Sequence, residues 1–370
     1  MVGFLANRWI NPLYHHLTND YGRVAGLFGR AFPMNPLVLR LRVTQNCNLR
    51  CGFCYQEGFH TKHESGHLSL DEWRRVLSKL PRWTIIDITG GEPFLAPGFP
   101  KLLELILGMG FKTSLITNGS LCSEDDLKRA VEGKLAYFMV SVDGLEDYHN
   151  HARGSRQSFA KLRRTLETIR ELKQRTGARY PVTCLKTTLT GDNYDQLVPL
   201  HELAIRELGV ENHSLNLLFQ NPVRGGARLA RELDDGAFAG NRASYPKVAI
   251  PHIVREVERL FAVARKNGVE IRFKPDIALS ELPAYLANPG SFGVRSCHKI
   301  RSVMTLYYDG TTTPCDIGVA TGNIRDYGYD IKRVMAGEPL GRVSSAVSAR
   351  GSYPGSCDGC CLMPHTRRAT

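Results

Sequence analysis

Three cysteines, Cys47, Cys51 and Cys54, stand as C-x3-C-x2-C in the stretch VTQNCNLRCGFCYQEG. Thiolates at such a spacing hold metal. Three of them can each take one iron of a 4Fe-4S cluster and leave the fourth iron open, much as a catalytic zinc keeps one position for its reactant. An open iron can chelate the amino and carboxylate groups of a methionine moiety. A zinc site is the rival reading, and it would need His60 or His63 as fourth ligand. Near the other end, Cys297 and Cys315 frame Gly310 as C-x12-G-x4-C, and Cys357 and Cys360 follow as C-x2-C. Four thiolates suit either a closed 4Fe-4S cluster or zinc, with Cys361 able to replace Cys360 as ligand. Cys122 and Cys184 lie apart from both groups and read as core residues.

Several polar residues follow β-rich runs. In ITGGEPFL, Gly90 and Gly91 let backbone approach a ligand closely, and Glu92, ahead of Pro93, offers a carboxylate to an ammonium group. ITNGS places Asn118 at a strand end, and SVDG does the same for Ser141 and Asp143. Arg153, in HNHARGSRQSF, offers a charged fork to a carboxylate or takes part in a surface ion pair. Lys186, in LKTTLTGDN, is a catalytic candidate on the substrate side; alternation alone does not fix which face of its strand it takes.

With these residues in view, the chain resembles the radical S-adenosylmethionine (radical SAM) superfamily. Its diagnostic motif is the first cysteine spacing with an aromatic residue, here Phe53, before the third cysteine. The resemblance implies that Phe53 packs near the adenine, that Gly90, Gly91, Glu92 and Pro93 form the motif holding the methionine amino group, and that Asn118, Ser141 and Asp143 reach the ribose side. It also implies that Arg153 meets the methionine carboxylate. The cofactors implied are a 4Fe-4S cluster and S-adenosylmethionine, cleaved after one-electron reduction to methionine and a 5'-deoxyadenosyl radical that abstracts hydrogen from a substrate. The protein then supplies positioning and exclusion of water. The second cysteine group resembles the auxiliary domain of the SPASM and twitch subfamilies, with one auxiliary 4Fe-4S cluster at Cys297, Cys315, Cys357 and Cys360. A closed cluster of that kind can accept an electron from a substrate radical and favours oxidation, with decarboxylation and epimerisation as further outcomes. The reductant implied is a flavodoxin or ferredoxin.

The elements that must position these residues alternate strand and helix from 37 to 220. Six strands are expected: Leu37–Val43, Thr84–Thr89, Lys112–Thr117, Ala136–Val142, Pro181–Leu189 and His213–Phe219. Between them lie helical patterns such as Ser69–Leu80, where Ser69 and Glu72 are set as a capping box, and Phe159–Arg175. Parallel sheets and barrels place ligand-contacting residues just beyond strand C-termini, where the motifs above fall. With the resemblance, the expected α/β fold is a partial (β/α)6 TIM-like barrel over 37–220. An amphipathic extension occupies 1–36, an insertion with a helix near Pro251–Asn267 and a short strand near Val269–Phe273 occupies 221–294, and a small iron-sulfur domain occupies 295–370. Asn221–Pro246 reads as a loop, and Asp309-Gly310 as a hairpin turn.

The 370 residues, 42% of them apolar, suffice for one large and one smaller domain. Eight of the ten cysteines sit in two groups of metal-ligand spacing, in a chain without a signal peptide or an apolar run of membrane-spanning length, so a cytoplasmic, reduced setting is expected. A formal charge of +12 favours an anionic contact, although scattered lysines and arginines are also an ordinary solvated surface. No RNA-binding module is recognised, so nucleic acid is not expected. Phe4, Leu5, Trp9, Ile10 and Leu13, mixed with Arg8, His15 and His16, form an amphipathic stretch that packs on the barrel or lies on an anionic membrane. Forty-six residues precede Cys47. That is too few for a winged-helix-like peptide-recognition domain, which favours a small-molecule substrate over a ribosomal peptide or protein. A non-catalytic iron-sulfur or S-adenosylmethionine-binding protein is the reading from another class.

Overall fold

The computed structural model of the chain describes residues 20–25, 34–54, 64–218, 245–293, 297–314, 320–350 and 366–367. Its first half repeats strand and helix as expected. The elements are β1 (Val38–Arg42), α1 (Leu70–Ser78), β2 (Ile85–Thr89), α2 (Phe99–Gly108), β3 (Thr113–Thr117), α3 (Glu124–Glu132), β4 (Tyr137–Ser141), α4 (Glu146–Ala152), α5 (Ser158–Thr176), β5 (Val182–Leu189), α6 (Leu197–Arg206) and β6 (Asn212–Leu217). Ser69 and Glu72 form the expected capping box on α1, and Ser123 with Asp126 forms another on α3.

Later segments are α7 (Ile250–Lys266), β7 (Ile271–Lys274), α8 (Leu282–Ala287), β8 (Phe292–Gly293), β9 (Val303–Tyr307), β10 (Thr311–Thr313), β11 (Gly322–Asn323), α9 (Ile331–Ala336), α10 (Glu338–Arg350) and β12 (Thr366–Arg367). Of these β7, β9, β10 and β11 extend the sheet, while β8 and β12 pair with each other in a separate two-stranded sheet. The ten-stranded sheet runs β11-β10-β9-β1-β2-β3-β4-β5-β6-β7. Strands β9 through β7 in that order are mutually parallel, and the β9–β10 hairpin turns at Gly310, whose φ of 90° suits glycine. The parallel run therefore has eight strands where six are expected. The extra two come from β7 beside β6, and from β9, which reaches β1 from within the cysteine-bearing tail. Arg325 helps to fasten that tail: its guanidinium pairs with Glu72 at 2.7 Å and donates to the Asp309 carbonyl at 2.7 Å.

Strand register sorts the sheet into two faces. Leu39, Leu41, Ile86, Ile88, Leu115, Phe138, Val140 and Leu185 point one way and pack on Trp73, Val76, Leu103, Ile106, Leu162 and Ile169 of the helices. Each such buried aliphatic side chain contributes roughly 1.5–3 kcal/mol. The opposite face carries Arg40, Arg42, Asp87, Ser114, Ser141, Lys186, Ser214, Asn216 and Lys274. A parallel sheet buried on both faces reads as continuous apolar runs, whereas this alternation leaves one face for polar contacts.

Candidate active site

The cysteine loop leaves the end of β1 and is pressed onto the turn after β2. Gly91 N–H donates to the Thr44 carbonyl at 2.8 Å and Glu92 N–H to the Asn46 carbonyl at 2.8 Å. A Cβ on Gly91 would lie 2.1 Å from the Asn46 oxygen, and one on Gly90 would lie 2.3 Å from the Thr44 oxygen. Real Cβ atoms do not approach oxygen so closely, so both glycines are required by the cysteine loop itself. From the other side Glu64, absent from the sequence reading, accepts from the Thr44 hydroxyl at 2.7 Å and from the Gln45 N–H. No motif marks Glu64, and its role depends on the segment ahead of α1 lying against the end of β1.

Glu92 is fully buried. Its carboxylate accepts from Thr117 Oγ1 and Asn118 N–H, each at 2.7 Å, and from Phe94 N–H at 3.3 Å. It therefore ties the end of β2 to the end of β3. Burial outweighs these donors and pushes Glu92 up to about 7. Pro93 opens a short 3-10 turn behind it. The Asn118 amide reaches Asn48 Oδ1 at 2.9 Å and the Cys47 sulfur at 3.9 Å. Burial pushes the Cys47 thiol up to about 11, so a metal must displace its proton.

Arg153, just beyond α4, links the remaining parts. Its Nε and Nη2 contact Asp143 Oδ2 at 2.6 and 2.5 Å, its Nη1 contacts the Cys51 sulfur at 3.5 Å, and its guanidinium lies 5.3 Å from the Phe53 ring centre. Burial opposes the guanidinium's charge, but Asp143 and Cys51 hold its pKa above the ordinary range. Arg50 N–H donates to the Arg153 carbonyl at 3.1 Å, so the arginine's backbone also grips the cysteine loop. Asp143 has no exposed surface, and its second oxygen accepts from Thr188 N–H at 2.9 Å. Both oxygens are engaged within the protein, so Asp143 holds Arg153 and the end of β5 in place. Arg153 is in a buried ion pair, not the surface ion pair that its sequence context left open.

Cys47, Cys51, Cys54, Phe53, Gly90, Gly91, Glu92, Asn118, Asp143 and Arg153 thus meet at the C-terminal ends of β1 to β4. Ser141 closes β4 in register with Lys186 on the polar face. Among the described residues no three His, Cys, Asp or Glu side chains converge to chelate a single ion. The three thiols fit better a cluster that gives each its own iron, and donors to Cys47 and Cys51 suit charged sulfur. Cys297 is half-buried, with its thiol pushed up by burial. Cys315, Cys357, Cys360 and Cys361 lie outside the described residues, as do His60, His63 and the amphipathic stretch Phe4–His16. Cys184 is buried as expected, and Cys122 is half-buried against the main core.

Residues 41–204 match the radical SAM superfamily. That stretch is a radical SAM domain match. It is 28% identical over 38% of its length to Fe-coproporphyrin III synthase of Methanosarcina barkeri, and 33% identical over 34% of its length to PqqA peptide cyclase of Rhodopseudomonas palustris. The matches cover 35% and 32% of those proteins, so the chain spans about a third of the length of the curated relatives it matches. Streptococcus suis SuiB, solved with S-adenosylmethionine bound, shares the fold at a TM-score of 0.65 and 18% identity, over 94% of this chain and 78% of SuiB. No described helix is long and apolar enough to cross a membrane.

Proposed function

We propose that the chain is a radical enzyme in which Cys47, Cys51 and Cys54 hold a 4Fe-4S cluster and the surrounding strand ends hold S-adenosylmethionine. When bound, these cofactors supply one-electron cleavage of S-adenosylmethionine and hydrogen abstraction from a substrate. The observation that carries this reading is the fastening of one cysteine loop to several strand ends by Gly90, Gly91, Asn118 and Arg153. A loop meant only to fold needs no such support around three thiols. Phe53, stacked near Arg153, offers a flat apolar wall to a purine, and Ser141 offers a hydroxyl at the mouth of the polar face.

Cys297, Cys315, Cys357 and Cys360 hold an auxiliary 4Fe-4S cluster in a small SPASM- or twitch-like domain. The β9–β10 hairpin supports this, because it turns at Gly310 and runs β10 back along β9 toward the Cys297 side. The substrate is a small biosynthetic molecule, and the polar face behind the cysteine loop is its seat. A second reading, maturation of a peptide, is favoured by the resemblance to PqqA peptide cyclase and by the shared fold with SuiB, which has also been solved with its precursor peptide SuiA.

The test is anaerobic reconstitution with iron and sulfide, reduction with dithionite, and detection of 5'-deoxyadenosine. About eight irons per chain with 5'-deoxyadenosine formed supports the reading, and joint replacement of Cys47, Cys51 and Cys54 by alanine removes the product together with roughly half of the iron. Full retention of cleavage in that triple variant, or zinc in place of iron in the unaltered chain, overturns it.

A further inference from the structure

Charge beside the cysteine loop has a direction. Arg153 Nη1 lies 3.5 Å from the Cys51 sulfur, while Nε and Nη2 of the same guanidinium meet Asp143 Oδ2 at 2.6 and 2.5 Å. The pair is neutral as a whole, but its cationic member is the one that touches sulfur. Water, which would average such a field away, has little access, because Arg153 is 8% exposed and Asp143 not at all.

Asp143 is held by more than this pair. Its Oδ1 accepts from Thr188 N–H at 2.9 Å, its N–H donates to His149 Nδ1 at 3.3 Å, and its carbonyl accepts from Asn193 Nδ2 at 2.9 Å. Asn193 Nδ2 also reaches the Thr188 carbonyl at 2.8 Å, which ties the ends of β4 and β5 together around the carboxylate. His149 adds no charge of its own, since burial and then the neighbouring Arg153 push it down to about 3. Cys47 is treated differently: it meets the neutral Leu49 N–H at 3.5 Å and the neutral Asn118 amide at 3.9 Å. Neutral bonds of that kind suffice to hold a loop. A charged donor, aimed by a carboxylate that several elements grip, also acts on whatever the sulfur binds.

We propose that Arg153, aimed by Asp143, makes a cluster held by Cys51 easier to reduce, an inference that rests on the 4Fe-4S reading of the three cysteines. Reduction takes one electron from an external one-electron donor and makes the cluster with its thiolates more negative; no bond or proton moves at Arg153. A cation in contact with a ligating sulfur stabilises the reduced form more than the oxidised one, and hydrogen bonds to cluster sulfurs set potentials in the same way. Asp143 opposes the effect with its own charge, but it contacts the guanidinium through Nε and Nη2, so the sulfur meets the cation directly through Nη1. Arg153 therefore sets how readily the cluster accepts its electron, and Asp143 is the positioning residue for Arg153.

The test is a reductive titration of anaerobically reconstituted protein without S-adenosylmethionine, followed by EPR at the signal that Cys51→Ala removes. In Arg153→Gln the ratio of reduced to oxidised cluster at a fixed potential should fall about tenfold or more, equivalent to about 59 mV for one electron. In Asp143→Asn, which leaves the cation unopposed, the ratio should rise, and Arg153→Lys, which keeps the charge, should stay within about threefold of the unaltered chain. A loop that is merely loosened shifts both neutral variants the same way; that result, or unshifted potentials in both, overturns the proposal. In the unaltered protein, arginine labelled isotopically in its guanidino nitrogens should change the nitrogen modulation of the reduced cluster in pulsed EPR. Absence of that coupling overturns the contact even where a variant fails to fold. Formation of 5'-deoxyadenosine is scored separately. Cleavage with unshifted potentials removes the tuning alone, whereas zinc in place of a reducible cluster removes the enzyme reading and the tuning together.

Discussion

Replacing Arg153 by methionine should separate a structural link from a surface ion pair. Asp143 is fully buried, and Arg153 meets its Oδ2 at 2.6 and 2.5 Å, so removing the guanidinium strands a carboxylate whose remaining donor is Thr188 N–H. A unit pair about 4 Å apart between charge centres is worth about 4 kcal/mol at an effective dielectric constant near 20, and stranding a buried charge costs about 3–5 kcal/mol. The retained backbone donor places the expected loss at the lower end, about 3 kcal/mol. Asp143→Asn should cost a similar amount by stranding the guanidinium. The double variant should lose only about 1–2 kcal/mol more than either single variant's packing change, because no unpaired charge remains. The assay is a double-mutant cycle by urea denaturation, with iron content after reconstitution as the second readout. A coupling of about 2 kcal/mol or more is expected, along with reduced cluster retention in Arg153→Met through the lost Cys51 contact. Additivity within about 0.5 kcal/mol, or full iron retention in every variant, would refute the claim that this pair holds the cysteine loop.

Three other outcomes are expected. Gly91→Ala places a methyl group against the Asn46 and Gln45 oxygens and should cost about 2–3 kcal/mol while lowering iron incorporation, as measured by denaturation and iron assay. Glu92 sits at about 7 in the folded protein, above its usual 4.5, so the folded state binds the extra proton and stability should fall as pH rises through that interval. Between pH 5 and 8 the unaltered chain should lose roughly 2–3 kcal/mol that Glu92→Gln does not, and parallel stability curves would show that burial does not govern this carboxylate. Arg325→Ala should free the hairpin end from α1, raising Glu72 from about 2 and weakening the cap it forms with Ser69. Limited proteolysis near residues 309–325 should accelerate severalfold, with a stability loss of about 1 kcal/mol in urea.

Much of the architecture is legible in the chain because its signals are local. Each of the six expected strands is a short β-rich run between helix-period segments, and Ser69 with Glu72 announces the start of α1. The C-x3-C-x2-C spacing and the Gly-Gly-Glu-Pro turn identify the reactive end of the sheet, since thiolate spacing and glycine conformation are properties of consecutive residues. What carries no local signal is adjacency across long separations. Nothing in Val303–Tyr307 says that it will lie beside Val38–Arg42, and nothing around Glu64 says that its carboxylate will brace Thr44. Alternation likewise left Lys186 on either face until register with Ser141 and Ser214 fixed it. The roles of Glu92 and Asp143 turn on the same point. A sequence shows a carboxylate near a strand end, but only the packed structure shows whether backbone amides and an arginine have already claimed its oxygens. The sequence by itself determined the chemistry available, because thiolates, glycines and an arginine fork keep their character in any fold. The tertiary structure decided which of those groups still face a ligand, because burial and long-range pairing consume polar groups that local sequence leaves open.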